Sequence, residues 1–145
     1  MGGTPPISGS IIGHGVDLTE VSRIEGLVSD QGQRFLDRCF TPGEQAYADK
    51  SVKRRFEHLA ARFAAKEAAM KALGTGWANG VGWTDFAISN GPEGAPSLCV
   101  QGRAREIAAS RGITAWHVSL SHTGSMAMAS VIAEGPARGL DEGGA

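Results

Sequence analysis

The chain has 145 residues, enough for one domain around one core and too few for two ordinary ones. Fourteen Lys and Arg stand against fifteen Asp and Glu for a net charge of −1, so the basic excess of a nucleic-acid-binding chain is absent. Hydrophobic residues make up 41%, an ordinary globular share, and no apolar run nears the roughly 20 residues needed to cross a bilayer.

Met1–Ser10 is rich in Gly, Pro and Ser and lacks the basic-then-apolar layout of a secretory leader, so a cytoplasmic protein is expected. This segment and Pro136–Ala145 read as flexible tails around one domain spanning 11–135. Ile11–Leu18 reads as a strand, with Ile11, Gly13, Gly15 and Asp17 on one face and Ile12, His14, Val16 and Leu18 on the other. Thr19 is placed to cap a helix whose apolar side carries Val21, Ile24, Leu27 and Val28. A second short helix carries Phe35, Leu36 and Phe40, and Thr41-Pro42-Gly43-Glu44 has the form of a capping box opening a third.

The strongest helical pattern runs from about Lys53 to Leu73, dense in alanine and long side chains, and Gly74 ends it. A glycine-rich loop follows to Gly82. Trp83–Ser89 and Pro96–Val100 read as strands around the turn Asn90-Gly91-Pro92, and Arg103–Ser110 as a helix stopped by Gly112. Ala115–Ser121 and Met126–Ala133 alternate as a hairpin joined at Thr123-Gly124-Ser125. Helices mixed with antiparallel strands make the fold class α+β, with one long helix packed on an antiparallel sheet. Cys39 and Cys99 are too few and too far apart for a zinc site and read as buried, reduced thiols.

Three segments could carry chemistry. Asp17 ends an apolar strand, where a carboxylate serves a cap or turn as readily as a ligand; the glycines before it leave space for a bulky anion and its metal. Along 62–74, Phe63, Glu67 and Lys71 share a helical face, with Arg62, Lys66 and Met70 beside them. That face is either solvated or, because alanines fill the gaps, open to the close approach of another backbone or a metal-bound polyphosphate. His122 sits at the hairpin tip, with His117 of opposite strand parity, and a turn histidine is as readily a plain surface residue. The glycines at 74–80 follow a helix and lack a Gly-Lys-Ser/Thr ending, so they are no Walker loop.

In this order the segments resemble the holo-acyl-carrier-protein synthases, the small single-domain class of phosphopantetheinyl transferases. The matching pieces are Gly-His-Gly-Val-Asp at 13–17, Phe-Thr-Pro-Gly-Glu at 40–44, Arg-Phe-Ala-Ala-Lys-Glu-Ala at 62–68 with Lys-Ala-Leu-Gly-Thr-Gly at 71–76, and Val-Ser-Leu-Ser-His-Thr at 118–123. His14 departs from the small or apolar residue usual there. The resemblance implies transfer of phosphopantetheine from coenzyme A to a serine of an acidic acyl carrier protein, in fatty acid biosynthesis. It further implies magnesium on Asp17 and Glu67, and catalysis by Glu67, Lys71 and Asp17. Coenzyme A contacts would come from Arg62, Lys66, Lys71, Gly74, Thr75, His122 and Thr123. Arg23 would dock the carrier, with Arg34 and Arg38 extending that surface, and the family forms homotrimers with sites at subunit boundaries. The same residues leave open a metal-free coenzyme A thioesterase or a non-catalytic binding module.

Overall fold

The structure, a computed structural model, describes residues 8–137; the outer parts of both expected tails, 1–7 and 138–145, lie outside the described residues. In chain order the elements are β1 (Ser10–Glu20), α1 (Val21–Gln31), α2 (Gln33–Cys39), α3 (Pro42–Asp49) and α4 (Arg55–Leu73). There follow a 3₁₀ turn (Trp83–Asp85), β2 (Phe86–Asn90), β3 (Pro96–Val100), α5 (Gly102–Ser110), β4 (Ala115–His122) and β5 (Met126–Gly135). The architecture is α+β. One antiparallel sheet has the order β1-β5-β4, and β2 and β3 form a separate two-stranded ladder.

The 19-residue α4 is the axis of the molecule. Apolar clusters lie on both its sides. Ala65, Ala69 and Leu73 pack with Phe86, Val131 and Ala133, while Leu59 and Phe63 pack with Ile24, Phe35 and Phe40. A helix buried nearly all round cannot show a clean polar face, and alanine keeps its neighbours close. No described helix is long and apolar enough to cross a membrane.

Contact between β1 and α4 depends on glycine. A Cβ at Gly13 would overlap the carbonyl oxygen of Ala72, and one at Gly15 the carbonyl oxygen of Ala68. Helix backbone therefore occupies the space that the glycines offered, in place of a ligand. The inward face continues to Asp17, which pairs with Ala129 inside the strand, not at its end, because β1 runs on to Glu20.

Several expectations are corrected. Thr19 does not cap α1: the N-cap position is Glu20 without a side-chain capping bond, and Val21 N–H donates to Ser125 O at 2.9 Å instead. Ile11 leaves the face of Gly13 and Asp17 because the ladder is bulged between Ile11 and Gly13, and it stands 60% exposed. Trp83–Asp85 turns before the strand begins, since the Asp85 carboxylate accepts from Gly82 N–H at 3.3 Å and from Ala104 N–H at 3.1 Å. That second bond supplies a cap for α5 from outside the helix. Cys39 is buried as expected, but Cys99 lies on the exposed side of β3. Ser8 and Gly9, expected in the tail, donate backbone N–H bonds to Glu134.

The outer face of the large sheet carries exposed apolar side chains that no other described element covers: Val16, Leu18 and Met128 are 41%, 61% and 43% exposed. Gly15→Ala should cost at least about 1–3 kcal/mol, the usual range for overpacking, because the clash is with backbone that cannot swing away. Thermal unfolding of the variant checks this, and an unchanged melting temperature would refute the packing argument.

Candidate active site

Strand period and helix period together bring Asp17, Glu67 and Lys71 to one place. Lys71 reaches from α4 to β1, donating to Val16 O at 2.9 Å and lying 3.4 Å from Asp17 Oδ1. Glu67 stands one helical turn earlier on the same face. Its pKa is raised, first by burial and then by the negative charge of Asp17, while Trp77, Arg23 and Lys71 pull it back. A carboxylate raised in this way by a neighbouring negative charge lies in a site that gains stability from a cation.

Two further donors hold this pair. Thr19 Oγ1 donates to Asp17 Oδ2 at 2.9 Å, and Trp77 Nε1 donates to Glu67 Oε2 at 3.4 Å. Sequence reasoning missed both roles. An Asp-x-Thr pattern in a strand was the available signal for Thr19, because positions i and i+2 share a face. Trp77 sits in a loop, and nothing local marks its target. It stacks on Trp83 at 4.0 Å, Trp83 stacks on Phe63 at 4.7 Å, and Arg23 lies 5.3 Å from the Phe63 ring. This stack carries Arg23 from α1 to the edge of the carboxylate site. Arg34 and Arg38 are exposed on α2, and Arg38 donates to Gln31 Oε1 at 3.1 Å.

Lys66 departs from the group. Its ammonium is fully buried, 2.9 Å from Glu44 Oε1, and donates to Trp83 O at 3.2 Å and to Phe86 O. Burial lowers its pKa while Glu44 opposes the shift. Glu44 completes the expected capping box, accepting from Thr41 N–H, and its other oxygen accepts from Ile88 N–H at 2.8 Å. Within the chain Lys66 thus joins α3, α4 and β2, and its ammonium does not reach the surface that Lys71 occupies.

A second polar group surrounds Arg62, about one and a half helical turns from Glu67 toward the N-terminus of α4. The guanidinium lies 4.1 Å from the Tyr47 ring, donates to His58 O at 3.3 Å and bonds to Asn90 Oδ1. Its Nε is buried with no hydrogen-bond partner among the described residues. Arg62 lines a 180 Å³ cleft together with Tyr47, His58, Pro96 and His122. His122 Nδ1 lies 3.1 Å from Glu57 Oε1, and its ring centroid is 5.9 Å from that of His58. Thr123 Oγ1 accepts from Ser125 and Met126 N–H groups, so that hydroxyl shapes the hairpin turn. Glu57 precedes Glu67 by ten residues, about 15 Å of helix. His122 and Glu67 of one chain therefore belong to separate groups.

At the other end of α4, Gly74 is left-handed, and the Arg111 side chain crosses it to donate to Leu73 O. A cation there complements the helix C-terminus. Thr75 Oγ1 donates to Gly76 O at 3.1 Å.

The fold recurs in known proteins. The family model of the 4'-phosphopantetheinyl transferase superfamily matches residues 13–129. The holo-[acyl-carrier-protein] synthase of Solibacter usitatus (strain Ellin6076) is 47% identical over 124 residues, 86% of this chain and 98% of that protein. The crystal structure of the Neisseria meningitidis holo-[acyl-carrier-protein] synthase superposes with a TM-score of 0.77 at 33% identity, covering 86% of this chain and 99% of that one. The Helicobacter pylori holo-[acyl-carrier-protein] synthase, solved in complex with coenzyme A, gives 0.74 at 29% identity, covering 83% and 99%. The chain is a phosphopantetheinyl transferase. Within that superfamily it belongs to the holo-acyl-carrier-protein synthases.

The two lysines of α4 should separate by their thermodynamic effects. Lys66→Met leaves Glu44 buried without its ion partner and should cost about 3–5 kcal/mol. Lys71→Met, at a side chain 54% exposed, should shift stability by no more than about 0.5 kcal/mol. Denaturant unfolding of both variants measures the contrast, and equal losses would contradict it.

Proposed function

We propose that the chain transfers 4'-phosphopantetheine from coenzyme A to a serine of an acidic apo acyl carrier protein, releasing adenosine 3',5'-bisphosphate. Fatty acid biosynthesis is the setting the resemblance implies. The observation that carries the reading is the meeting of Asp17, Glu67 and Lys71 where β1 crosses α4, in a chain similar over most of its length to such synthases. The donor set fits magnesium. Two carboxylates leave most of an octahedral shell to water and phosphate oxygens, and among the described residues no cluster of three or more His, Cys, Asp or Glu could enclose a metal alone.

Asp17 and Glu67 would hold the ion, which when bound supplies Lewis-acid polarisation of the pyrophosphate. Phosphoryl transfer of this kind depends chiefly on positioning and charge neutralisation. Lys71, exposed beside Asp17, neutralises the departing phosphate of the bisphosphate as its bond to the transferred phosphorus lengthens. The serine proton goes to Glu67 or to a water held at the metal site. Arg62 and His122 line the cleft that would receive coenzyme A phosphates. Gly74 and Thr75 would let the coenzyme pass the end of α4. Arg23, with Arg34 and Arg38 on the neighbouring helix, offers positive charge to an acidic carrier; such complementarity raises association rate and fixes orientation. Because Arg23 also acts on Glu67, docking and chemistry adjoin.

A homotrimer belongs to the same proposal. The uncovered apolar sheet face offers an area for self-association, and the separation of His122 from Glu67 along α4 suits a site shared by two subunits.

Asp17→Ala and Glu67→Ala should each lose most turnover while remaining folded, and chelation by EDTA should abolish activity until magnesium is restored. Mass measurement of an apo carrier incubated with coenzyme A reads the result; full activity in excess chelator would refute the metal assignment. Shared sites are tested by refolding Glu67→Ala and His122→Ala together in equal amounts. A given interface in a closed ring then receives both intact residues with a probability of about one quarter, and activity should recover to roughly that fraction. No recovery after proven subunit exchange would exclude the shared site.

A further inference from the structure

Of the buried hydroxyls in this chain, Thr19 has a placement that packing alone does not explain. Its side chain is 1% exposed, on the inward face of β1 two positions after Asp17. A helix start follows immediately, where a threonine would ordinarily turn its hydroxyl to the helix N–H groups. Here it does not. The N-cap is Glu20, whose side chain makes no capping bond, and Val21 N–H is satisfied by Ser125 O of the β4–β5 turn. The Thr19 proton is therefore directed sideways, to Asp17 Oδ2 at 2.9 Å. An ionised carboxylate only accepts, so the hydroxyl is the donor.

Glu67 has a matching arrangement on the opposing element. Trp77 Nε1 donates to Glu67 Oε2 across 3.4 Å, and the indole is clamped by its stack on Trp83 at 4.0 Å. Thr19 thus engages Oδ2 of Asp17 and Trp77 engages Oε2 of Glu67, while Lys71 donates to the other Asp17 oxygen at 3.4 Å. Lys71 approaches Asp17 from its Oδ1 side, opposite to Thr19. Donors of this kind fix the orientation of a carboxylate before its ligand arrives and reduce the entropy lost on binding.

We propose that Thr19 is a positioning residue for the metal-binding pair, holding Asp17 in its binding orientation, with Trp77 doing the same for Glu67. The proposal rests on the reading of Asp17 and Glu67 as a magnesium pair. It gives specific work to two residues outside the carboxylate pair itself.

The test uses the full chain as Thr19→Val, Thr19→Ser and Trp77→Phe variants. Valine keeps the shape and removes the donor, serine restores it, and phenylalanine keeps an aromatic ring against Trp83 without the N–H. Equilibrium binding of coenzyme A, without carrier, is followed as magnesium is titrated. Thr19→Val should raise the magnesium concentration for half-maximal binding about 10-fold or more, within the range of about 10–100-fold usual for lost outer donors. Saturating magnesium should restore wild-type coenzyme A affinity, and the melting temperature should stay near wild type. Thr19→Ser should return the requirement close to wild type, and Trp77→Phe should shift it in the same direction by less, its bond being longer. If valine is not accommodated, Thr19→Ala gives the same comparison. A folded donor-free variant with a wild-type magnesium requirement would overturn the role of Thr19. A wild-type protein whose coenzyme A binding ignores magnesium would overturn the metal reading itself, and with it this inference.

Discussion

Where β1 crosses α4, strand backbone rests directly on helix backbone, with Gly13 and Gly15 facing the carbonyls of Ala72 and Ala68. Any side chain at either glycine would push the two elements apart. The consequence appears two residues further along the strand, where Asp17 comes within reach of Lys71 and within the electrostatic influence of Glu67. Neither carboxylate is unusual on its own element. The short distance between strand and helix turns them into a pair, and that distance is a property of residues with no functional groups.

The cations of α4 divide according to what each face of the helix meets. Lys66 turns inward, where Glu44 and two carbonyls satisfy it in the core. Lys71, five residues later, emerges at the surface beside Asp17. Arg62 occupies an intermediate setting beside the His122 cleft, with its Nη groups bonded and stacked while its buried Nε has no partner among the described residues. A helix that packs on both sides spends some charges on joining the domain and leaves others for chemistry. Charge count alone does not tell them apart.

The aromatic stack Trp77–Trp83–Phe63 joins the loop after α4, the 3₁₀ turn and the helix itself. It ends at Arg23, placing the arginine proposed for carrier docking beside the carboxylate proposed for catalysis.

Most elements were legible in the sequence because their signals are local: the alanine-rich run to Gly74, the Thr41–Glu44 capping box and the alternation of the last hairpin. Asp17, Glu67 and Lys71 were candidates through the family resemblance of their segments, and the fold brings them to one place. Thr19 was misread because a threonine before a helix is locally a cap, and only the Ser125 carbonyl, more than a hundred residues away, releases it to serve Asp17. Asp85 was read into a strand because its partner, Ala104 N–H, belongs to a later helix. Sequence periodicity determines which side of an element a residue takes. What waits on that side is set by long-range packing, which decided that the glycines receive a helix, that Lys66 is buried with Glu44, and that Thr19 and Trp77 hold the two acidic groups.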